Sequence, residues 1–216
     1  MKSSGRKTLA AILGAVLCLW GCGCASLCGD SEAGAVTCHN GVMVRNSIID
    51  DNEYNRDYKR PGPFPEVKYI TIHNTAEPFS ARQERDRVNN RRDNKSVSFH
   101  FAVDENEAVQ IMELTEHAWH AGDGSKGDGN LRSIGIEICR SQCYGTQEPL
   151  YRASEENAVK LTAWLLKKFN LTVNDLRKHQ DWTGKYCPHR ILDEQSWENF
   201  KQRVQQSLDH LQEQEG

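Results

Sequence analysis

Several residue types that could do chemistry lie close together in the segment 179–189, which contains His179, Lys185 and Cys187. An imidazole and a thiolate are two of the ligands that zinc prefers in proteins. Gly184 and Pro188 favour the turn that the backbone needs to bring both ligands onto one ion. Two ligands do not complete a site, so a third must come from elsewhere in the chain.

The third ligand is predicted to be His73, at the end of a β-strand. Residues 67–72 are rich in apolar and β-branched side chains, which is typical of a buried strand, and His73 follows them directly. Three protein ligands with one open position form the arrangement of catalytic zinc sites. The sequence therefore predicts one Zn²⁺ per chain, bound by His73, His179 and Cys187. For either histidine alone, the alternative is a structural role in the core.

Four separated segments resemble, in chain order, the zinc-dependent N-acetylmuramoyl-L-alanine amidases, the family that includes type 2 amidases and peptidoglycan-recognition proteins. The segments are Ile72 to Ala76, Trp119 to Gly122, Ser133 to Ile138, and His179 to Cys187. The resemblance runs from about Val67 to about Leu192. It implies an α/β fold, a single domain with a central mixed sheet flanked by helices. It also implies hydrolysis of the amide between the lactyl group of N-acetylmuramic acid and L-alanine in peptidoglycan.

Amide hydrolysis needs a polarised carbonyl, a water nucleophile and a group that moves a proton to the leaving nitrogen. Zinc held by two neutral imidazoles and one thiolate supplies the first two. Glu137 is the candidate for the group that transfers the proton. A carboxylate in an otherwise apolar strand must find a partner or face a site. The alternative is an edge-strand glutamate that faces water. In similar amidases a glutamate of this motif transfers the proton. In the phage lysozyme branch a tyrosine contributes instead, at the position where this chain has Phe99.

Lys185 lies two residues before Cys187, so both side chains would point the same way in an extended segment. A lysine there could stabilise the oxyanion that forms on the carbonyl. The alternative is a lysine that faces solvent from a turn. The resemblance also indicates residues that would line a groove for sugar and peptide. The predicted substrate-binding residues are Asn74, Thr75, Trp119 and His120.

The first residues have the layout of an export signal: basic residues, an apolar run from Leu9 to about Trp20, and small residues up to Ala25. We therefore predict that residues 1–25 are a signal peptide or lipoprotein leader. Two forms of processing stay open, cleavage after Ala25 or lipidation of Cys22, and a third alternative is an uncleaved anchor. The protein is expected to be exported, and to be secreted, periplasmic or membrane-anchored as a lipoprotein.

A chain of 216 residues with 38% hydrophobic residues is long enough for one ordinary globular domain. We assign residues 26–65 to a lead-in segment and residues 66–212 to the zinc amidase domain, which is expected to be monomeric. Removal of the leader takes the formal charge from −3 to −6, because three basic residues and no acid leave with it. An acidic chain is not suited to nucleic acid, so the expected partners are peptidoglycan or muropeptides.

An odd number of cysteines lies beyond the leader: Cys28, Cys38, Cys139, Cys143 and Cys187. In an oxidising compartment the odd one is expected to be reactive or a ligand, which suits Cys187 on a metal. The alternative for Cys187 is a disulfide. Cys139 and Cys143 flank a short loop, and they form either a disulfide or two small buried hydrophobic residues.

Periodicity predicts the elements that position these residues. The expected elements are an exposed, salt-bridged helix over 80–94, a strand over 96–103 in a hairpin with 108–112, a strand over 134–138, a helix from Ser154 to Phe169, and a helix over 194–212 capped by Asp193. The helices are expected to cover the sheet.

Two other functions compete with the amidase hypothesis. A peptidoglycan-binding protein of the same fold would recognise the stem peptide without cutting it, but such members lose the zinc cysteine and Cys187 is present. A cysteine hydrolase would use Cys187 with His179 or His189. That hypothesis lacks an orienting residue and leaves His73 without a role.

Overall fold

A seven-stranded mixed sheet lies at the centre of the computed structural model, which describes residues 34–214. The predicted leader, including Cys22, lies outside the described residues, as does Cys28. The strands are β1 (Val36–His39), β2 (Val42–Asn46), β3 (Tyr69–Asn74), β4 (Phe101–Val103), β5 (Ala108–Gln110), β6 (Ser133–Ile138) and β7 (Leu176–Lys178). The helices are α1 (Glu53–Tyr58), α2 (Ala81–Asn90), α3 (Asp128–Leu131), α4 (Glu148–Lys168), α5 (His179–Thr183), α6 (His189–Asp193) and α7 (Trp197–Glu213).

The spatial order of the strands is β1-β2-β5-β4-β6-β3-β7. The pairs β1–β2 and β4–β5 are antiparallel, whereas β6 runs parallel to both β4 and β3, and β7 runs parallel to β3. His73 lies opposite Glu137 in the β3–β6 register, and Ile72 lies opposite Lys178 in the β3–β7 register. The carboxyl ends of parallel strands meet at one edge of a sheet, where α/β proteins commonly bind ligands. The topology therefore brings His73, Glu137 and the residue after Lys178 to the same edge.

Alternation along β3 and β6 divides their side chains between two faces. Ile70, Ile72, Ile134 and Ile136 face the larger apolar core, which also contains residues of α4 and α7. The intervening residues put polar groups on the opposite face, where the Thr71 hydroxyl is hydrogen-bonded to that of Ser133. A second, smaller apolar cluster under α2 continues this face of the sheet; it includes Val88, Phe99, Ala102, Val109 and Met112. The mixed sheet with helices agrees with the predicted fold class.

Two predicted helix starts are wrong. Helix α4 begins at Glu148, well before Ser154, because Pro149 is favourable in the first turn of a helix. Ser154 lies inside the helix, where its hydroxyl donates to the Leu150 carbonyl instead of capping. Asp193 ends the short helix α6, and α7 begins only at Trp197.

Two further segments differ from the prediction. Ser80 caps α2 through a reciprocal bond with Gln83, but the helix ends at Asn90 and is not wholly solvated, since Glu84 and Val88 are buried. The predicted strand over 96–103 is regular only at Phe101–Val103, and the residues before it form an irregular segment. The lead-in holds more structure than an edge strand, because it contains the β1–β2 hairpin and α1.

Four cysteines fall within the described residues, and all are free: Cys38, Cys139, Cys143 and Cys187. Cys139 and Cys143 are both buried, so of the two alternatives the structure supports small buried hydrophobic residues rather than a disulfide. Among residues 34–214 no helix combines the length and apolar character needed to cross a membrane.

Candidate metal centre and groove

The three predicted zinc ligands meet at the carboxyl edge of the sheet. The Nδ1 atoms of His73 and His179 are 3.0 Å apart, and the Cys187 Sγ lies 3.8 Å from the His73 Nδ1. All three side chains are buried, and their donor atoms lie within 4.8 Å of one another. Tetrahedral zinc with ordinary bond lengths would place two nitrogen ligands about 3.3 Å apart and a nitrogen and a sulfur ligand about 3.6 Å apart. The donor set and its spacing therefore fit one Zn²⁺.

Local structure explains how Cys187 reaches the two histidines. His179 opens α5 directly after β7, and Gly184 ends that helix with φ of 76°, a left-handed conformation that favours glycine. The Gln180 amide then donates to the Cys187 carbonyl over 3.0 Å, which closes the segment into a loop. The Cys187 amide also donates to the Lys185 carbonyl over 2.7 Å. This bond turns the chain tightly, so the extended geometry predicted for Lys185 and Cys187 is wrong: Lys185 is exposed and Cys187 is buried.

The electrostatics of the three donors suit a bound cation. Burial lowers the pKa of His73 well below its usual value, and burial with the nearby charge of Lys185 lowers the pKa of His179 to about 4. Both imidazoles are therefore neutral and able to act as ligands near neutral pH. Burial, followed by the charge of Glu137, raises the pKa of Cys187 to about 12 in the metal-free chain. A thiol in this environment becomes a thiolate when a cation compensates its charge.

A groove of about 570 Å³ opens beside the three donors. Among the residues that line it are His179, Lys185, Glu137, Trp119, His120 and Phe99. The opposite wall is the irregular segment 96–98, which was predicted as a strand and was therefore missed as part of the site. The structure thus brings Trp119 and His120 together with the candidate catalytic residues.

Asn74 and Thr75 are not among the residues that line this groove. Both side chains are buried. The Asn74 Oδ1 accepts the Arg190 amide over 2.9 Å, and the Thr75 hydroxyl donates to the Glu77 carbonyl over 3.0 Å. These contacts support the chain around β3. The structure does not place Asn74 and Thr75 in the groove, where they were expected to contact the substrate.

Glu137 lies across the strand register from His73 and lines the groove. Its Oε2 is buried and has no hydrogen-bond partner within residues 34–214. Burial, strengthened by the charge of Glu84, raises the pKa of Glu137 to about 8, against the opposing charges of Lys185 and Arg87. A carboxyl group whose pKa is close to neutral can both accept and return a proton. Sequence reasoning missed the buried Glu84, because charged residues on a helix are typical of an exposed face.

Lys185 projects from the turn between α5 and Cys187 and lines the groove. Within the described part of the chain it forms no ion pair. Its positive charge contributes to lowering the pKa values of His73 and His179. The groove therefore combines a sheltered carboxyl group, an unpaired ammonium group and a three-donor metal site.

Comparison with known proteins finds sequence and structural matches to one family. The N-acetylmuramoyl-L-alanine amidase family matches residues 63–190. The amidase CwlA of Bacillus subtilis is 42% identical over 170 residues, covering 79% of this chain and 60% of that protein, and XlyB of the same organism is 42% identical over 167 residues, covering 77% and 50%. This chain thus spans about half to three fifths of the length of these relatives.

Solved structures agree with these sequence matches. The structure of PlyL is 38% identical with a TM-score of 0.68, covering 75% of this chain and 96% of that one. The catalytic domain of XlyA is 32% identical with a TM-score of 0.63, covering 74% and 98%. Both matches extend over nearly the whole of the solved chains.

Proposed function

Because the chain belongs to the N-acetylmuramoyl-L-alanine amidase family, we propose that it hydrolyses the amide between the lactyl group of N-acetylmuramic acid and L-alanine in peptidoglycan. The observation that carries this proposal is the meeting of His73, His179 and Cys187 beside a groove that contains Glu137. One Zn²⁺ per chain would be held by those three donors. The comparisons with CwlA and XlyB, both named as such amidases, support the same reaction.

In the proposed mechanism, bound Zn²⁺ supplies Lewis acidity, which polarises the scissile carbonyl and makes water a better nucleophile at neutral pH. The ionised Glu137 carboxylate accepts the proton that water loses as it attacks. The same carboxyl group then gives that proton to the nitrogen of L-alanine, so that the amine can leave. Lys185 places a positive charge where the carbonyl oxygen becomes negative, and its stabilising effect grows as that charge develops.

The groove also has the features expected for a glycan and peptide substrate. Trp119 is half-buried in its wall and presents an aromatic surface to the cavity. Binding clefts for such ligands combine apolar walls with a few polar groups at defined positions. We therefore assign Trp119 to substrate contact, whereas roles in substrate binding for Asn74 and Thr75 stay predictions.

The two competing functions are less well supported. A protein that only binds peptidoglycan has no need of a complete donor set or of a sheltered carboxyl group with a raised pKa. A cysteine hydrolase would need Cys187 as a thiolate, but burial raises the pKa of this thiol to about 12. In addition, the His73 nitrogen next to the thiol also faces His179, which suits ligation better than base catalysis.

We further propose that the protein is exported, since peptidoglycan lies outside the cytoplasmic membrane, and that it acts as a monomer. Lipid anchoring through Cys22 and free secretion make different predictions for the mature protein. Mass spectrometry of its N-terminal peptide distinguishes a lipidated Cys22 from an unmodified residue following Ala25.

Product analysis tests the proposed reaction. Purified protein with its zinc content measured is incubated with purified peptidoglycan, and the soluble products are followed by mass. The expected products are stem peptides with a free L-alanine amine and glycan strands with an intact lactyl group. Glu137→Gln is the matched inactive variant. If zinc-loaded protein releases no free stem peptide from walls of several chemistries, the proposed reaction is wrong.

A further inference from the structure

A line of buried hydrogen-bonding groups extends from the rear of the metal site into the sheet. The His73 Nε2 lies 3.0 Å from the His120 Nδ1, and the His120 Nε2 lies 3.1 Å from the Ser133 carbonyl oxygen. His73 and His120 are both almost fully buried. This contact is made by the ring nitrogen of His73 that points away from His179 and Cys187.

The direction of every bond in this line follows from its far end. A carbonyl oxygen only accepts, so the His120 Nε2 must carry a proton. Among the described residues the buried His120 ring bonds only to a carbonyl oxygen and to the His73 imidazole, with no carboxylate to balance a positive charge, so the ring is neutral and its Nδ1 has no proton. An unprotonated Nδ1 can only accept, which requires the His73 Nε2 to donate. The buried His73 ring likewise bonds to no carboxylate among residues 34–214 and is neutral, so its Nδ1 presents a free lone pair to the metal site.

The second histidine of the site presents the same atom to it. The His179 Nδ1 faces that of His73 at 3.0 Å, and the His179 Nε2 lies beside Gly122. When neither Nδ1 carries a proton, two bare nitrogens face each other across the site. The lone pairs of these two nitrogens repel each other unless a cation lies between them.

The protein is built closely around the His120 ring. The Asn130 Oδ1 accepts the amides of both His120 and Ala121, over 2.9 and 2.7 Å, and Asp123 in turn accepts the Asn130 amide over 3.0 Å. The ring lies over Gly135, where an added Cβ would be only 2.8 Å from the His120 Cγ. A side chain at this position of β6 would displace the ring, so glycine is required by packing.

We infer that His120 is a positioning residue for the metal site. Its ring donates to the Ser133 carbonyl and accepts from His73, and this fixes which ring nitrogen of His73 faces the metal. This inference rests on the proposed function, because it presupposes metal binding at the three donors. It gives His120 a different role from the substrate contact predicted from the sequence. Partners behind a ligating histidine fix its tautomer and raise its basicity, and their removal costs 10- to 100-fold in metal affinity.

Two substitutions of His120 distinguish a positioning role from a role that only fills space in the core. His120→Phe fills the ring position without an acceptor, and we expect its zinc dissociation constant to rise about 10- to 100-fold. His120→Asn can place an acceptor oxygen close to the Nδ1 position, and we expect it to retain most of the wild-type affinity. His117→Phe is the matched control, since this buried histidine contacts Trp119 and not the three donors. Affinities are measured by competition with a chromophoric chelator, after circular dichroism confirms folding.

A measurement on the wild-type protein covers the case in which the variants do not fold. Long-range proton–nitrogen NMR of the metal-free protein reports which nitrogen of each imidazole is protonated. Protonation at Nε2 in both His73 and His120 is expected, and protonation of His73 at Nδ1 would overturn the inference.

Failure of this inference differs from failure of the proposed function. If wild type binds zinc tightly and His120→Phe binds it equally well, the positioning role is overturned and the amidase proposal stands. If wild type binds no zinc, the proposed metal site fails and the positioning role is overturned with it.

Discussion

Glu137 is held in an environment that is costly for a charged carboxylate. One of its oxygens is sealed from solvent with no partner among residues 34–214, and burial raises its pKa to about 8. Structural carboxylates at a strand position normally find a partner or reach water. The residue as a whole is only half-buried and lines the groove, so its carboxyl group is within reach of a substrate or of the water that attacks it.

Glu137→Gln keeps the shape of the side chain and removes its ability to carry the proton. We expect turnover to fall by ~10²–10⁴ while zinc content is unchanged, because loss of a positioned general base typically costs that much. Turnover is measured on purified peptidoglycan with zinc occupancy confirmed by metal analysis. Glu198→Gln, on the exposed side of α7, is the matched control and should retain wild-type turnover. A loss of less than about fivefold in Glu137→Gln would assign the proton transfer to another group.

Lys185→Ala tests whether the lysine acts on the transition state or on the bound substrate. Charge develops on the carbonyl oxygen only during reaction, so turnover should fall while substrate affinity stays nearly intact. Affinity is measured with an inactive background, Glu137→Gln, with and without the second substitution. Weaker binding with unchanged turnover would instead identify Lys185 as a ground-state contact.

At the level of elements, the lead-in helix α1 supports the far wall of the groove. Lys59 at its end is fully buried, and its Nζ donates to the Lys95 carbonyl over 2.8 Å. The Lys59 carbonyl accepts the Ser98 hydroxyl over 2.7 Å, and the Tyr54 hydroxyl accepts the Asn94 amide over 2.7 Å. The wall has no strand pairing of its own over 94–98, so these bonds hold it in place.

Lys59→Met keeps most of the side-chain volume and removes the bond to Lys95. We expect faster amide exchange over residues 94–98, because local opening there no longer breaks that bond, with little change in α4 or α7. Hydrogen exchange read by mass spectrometry checks the result. Lys68→Met removes a more exposed lysine as the control. Equal protection of 94–98 in both variants would mean that other contacts fix the wall.

At the level of the whole molecule, buried neutral histidines link stability to pH. His100 is fully buried between the Gly135 amide, which donates to its Nδ1, and the Glu116 carbonyl, which faces its Nε2. Burial lowers its pKa from 6.5 to about 4. Between these two values the unfolded chain binds a proton that the native chain does not, so stability is present above pH 6.5 and is lost as the pH falls towards 4.

The free energy of unfolding of the metal-free protein should therefore decrease as the pH falls below 6.5, by up to about 1.4 kcal/mol per pH unit for each such histidine. Urea unfolding at a series of pH values between 7 and 4 measures the slope. His100→Gln should flatten it, whereas His210→Gln, at an exposed position of α7, should not. A slope that is the same in all three proteins would assign the acid sensitivity to other groups.

Patterns that depend on local sequence predicted their elements well. The β-branched runs of β3 and β6 were recognisable because burial on one face and parallel pairing demand such residues, and His73 and Glu137 were recognisable as the polar exceptions. The helix starts were wrong because Ser154 and Asp193 resemble caps, and only tertiary packing shows that Ser154 is enclosed by α4. The wall at 96–98 alternates as a strand does, yet the Ser98 amide donates to the Trp119 carbonyl and the Ser98 hydroxyl donates to the Lys59 carbonyl, rather than pairing with a neighbouring strand.

Contacts across the sheet were beyond the reach of the sequence. Glu84 has the ordinary appearance of a solvated helix residue, and its burial near Glu137 depends on how α2 lies on β4. The role of His120 likewise depends on the register that sets Ser133 and Gly135 beside it. Such relations depend on packing between distant segments, whereas periodicity reports only on near neighbours in the chain.

The distance along the chain between His73 and His179, 106 positions, also sets an order of events in time. Their rings meet only when β7 joins β3, a contact between remote segments that closes slowly and late in folding. A chain that is still being synthesised, or that passes in extended form through an export channel, does not yet have the assembled three-donor site. With the export proposed above, the protein would therefore remain without its metal ion until it has folded outside the cell that makes it, and binding of the ion would require the completed sheet.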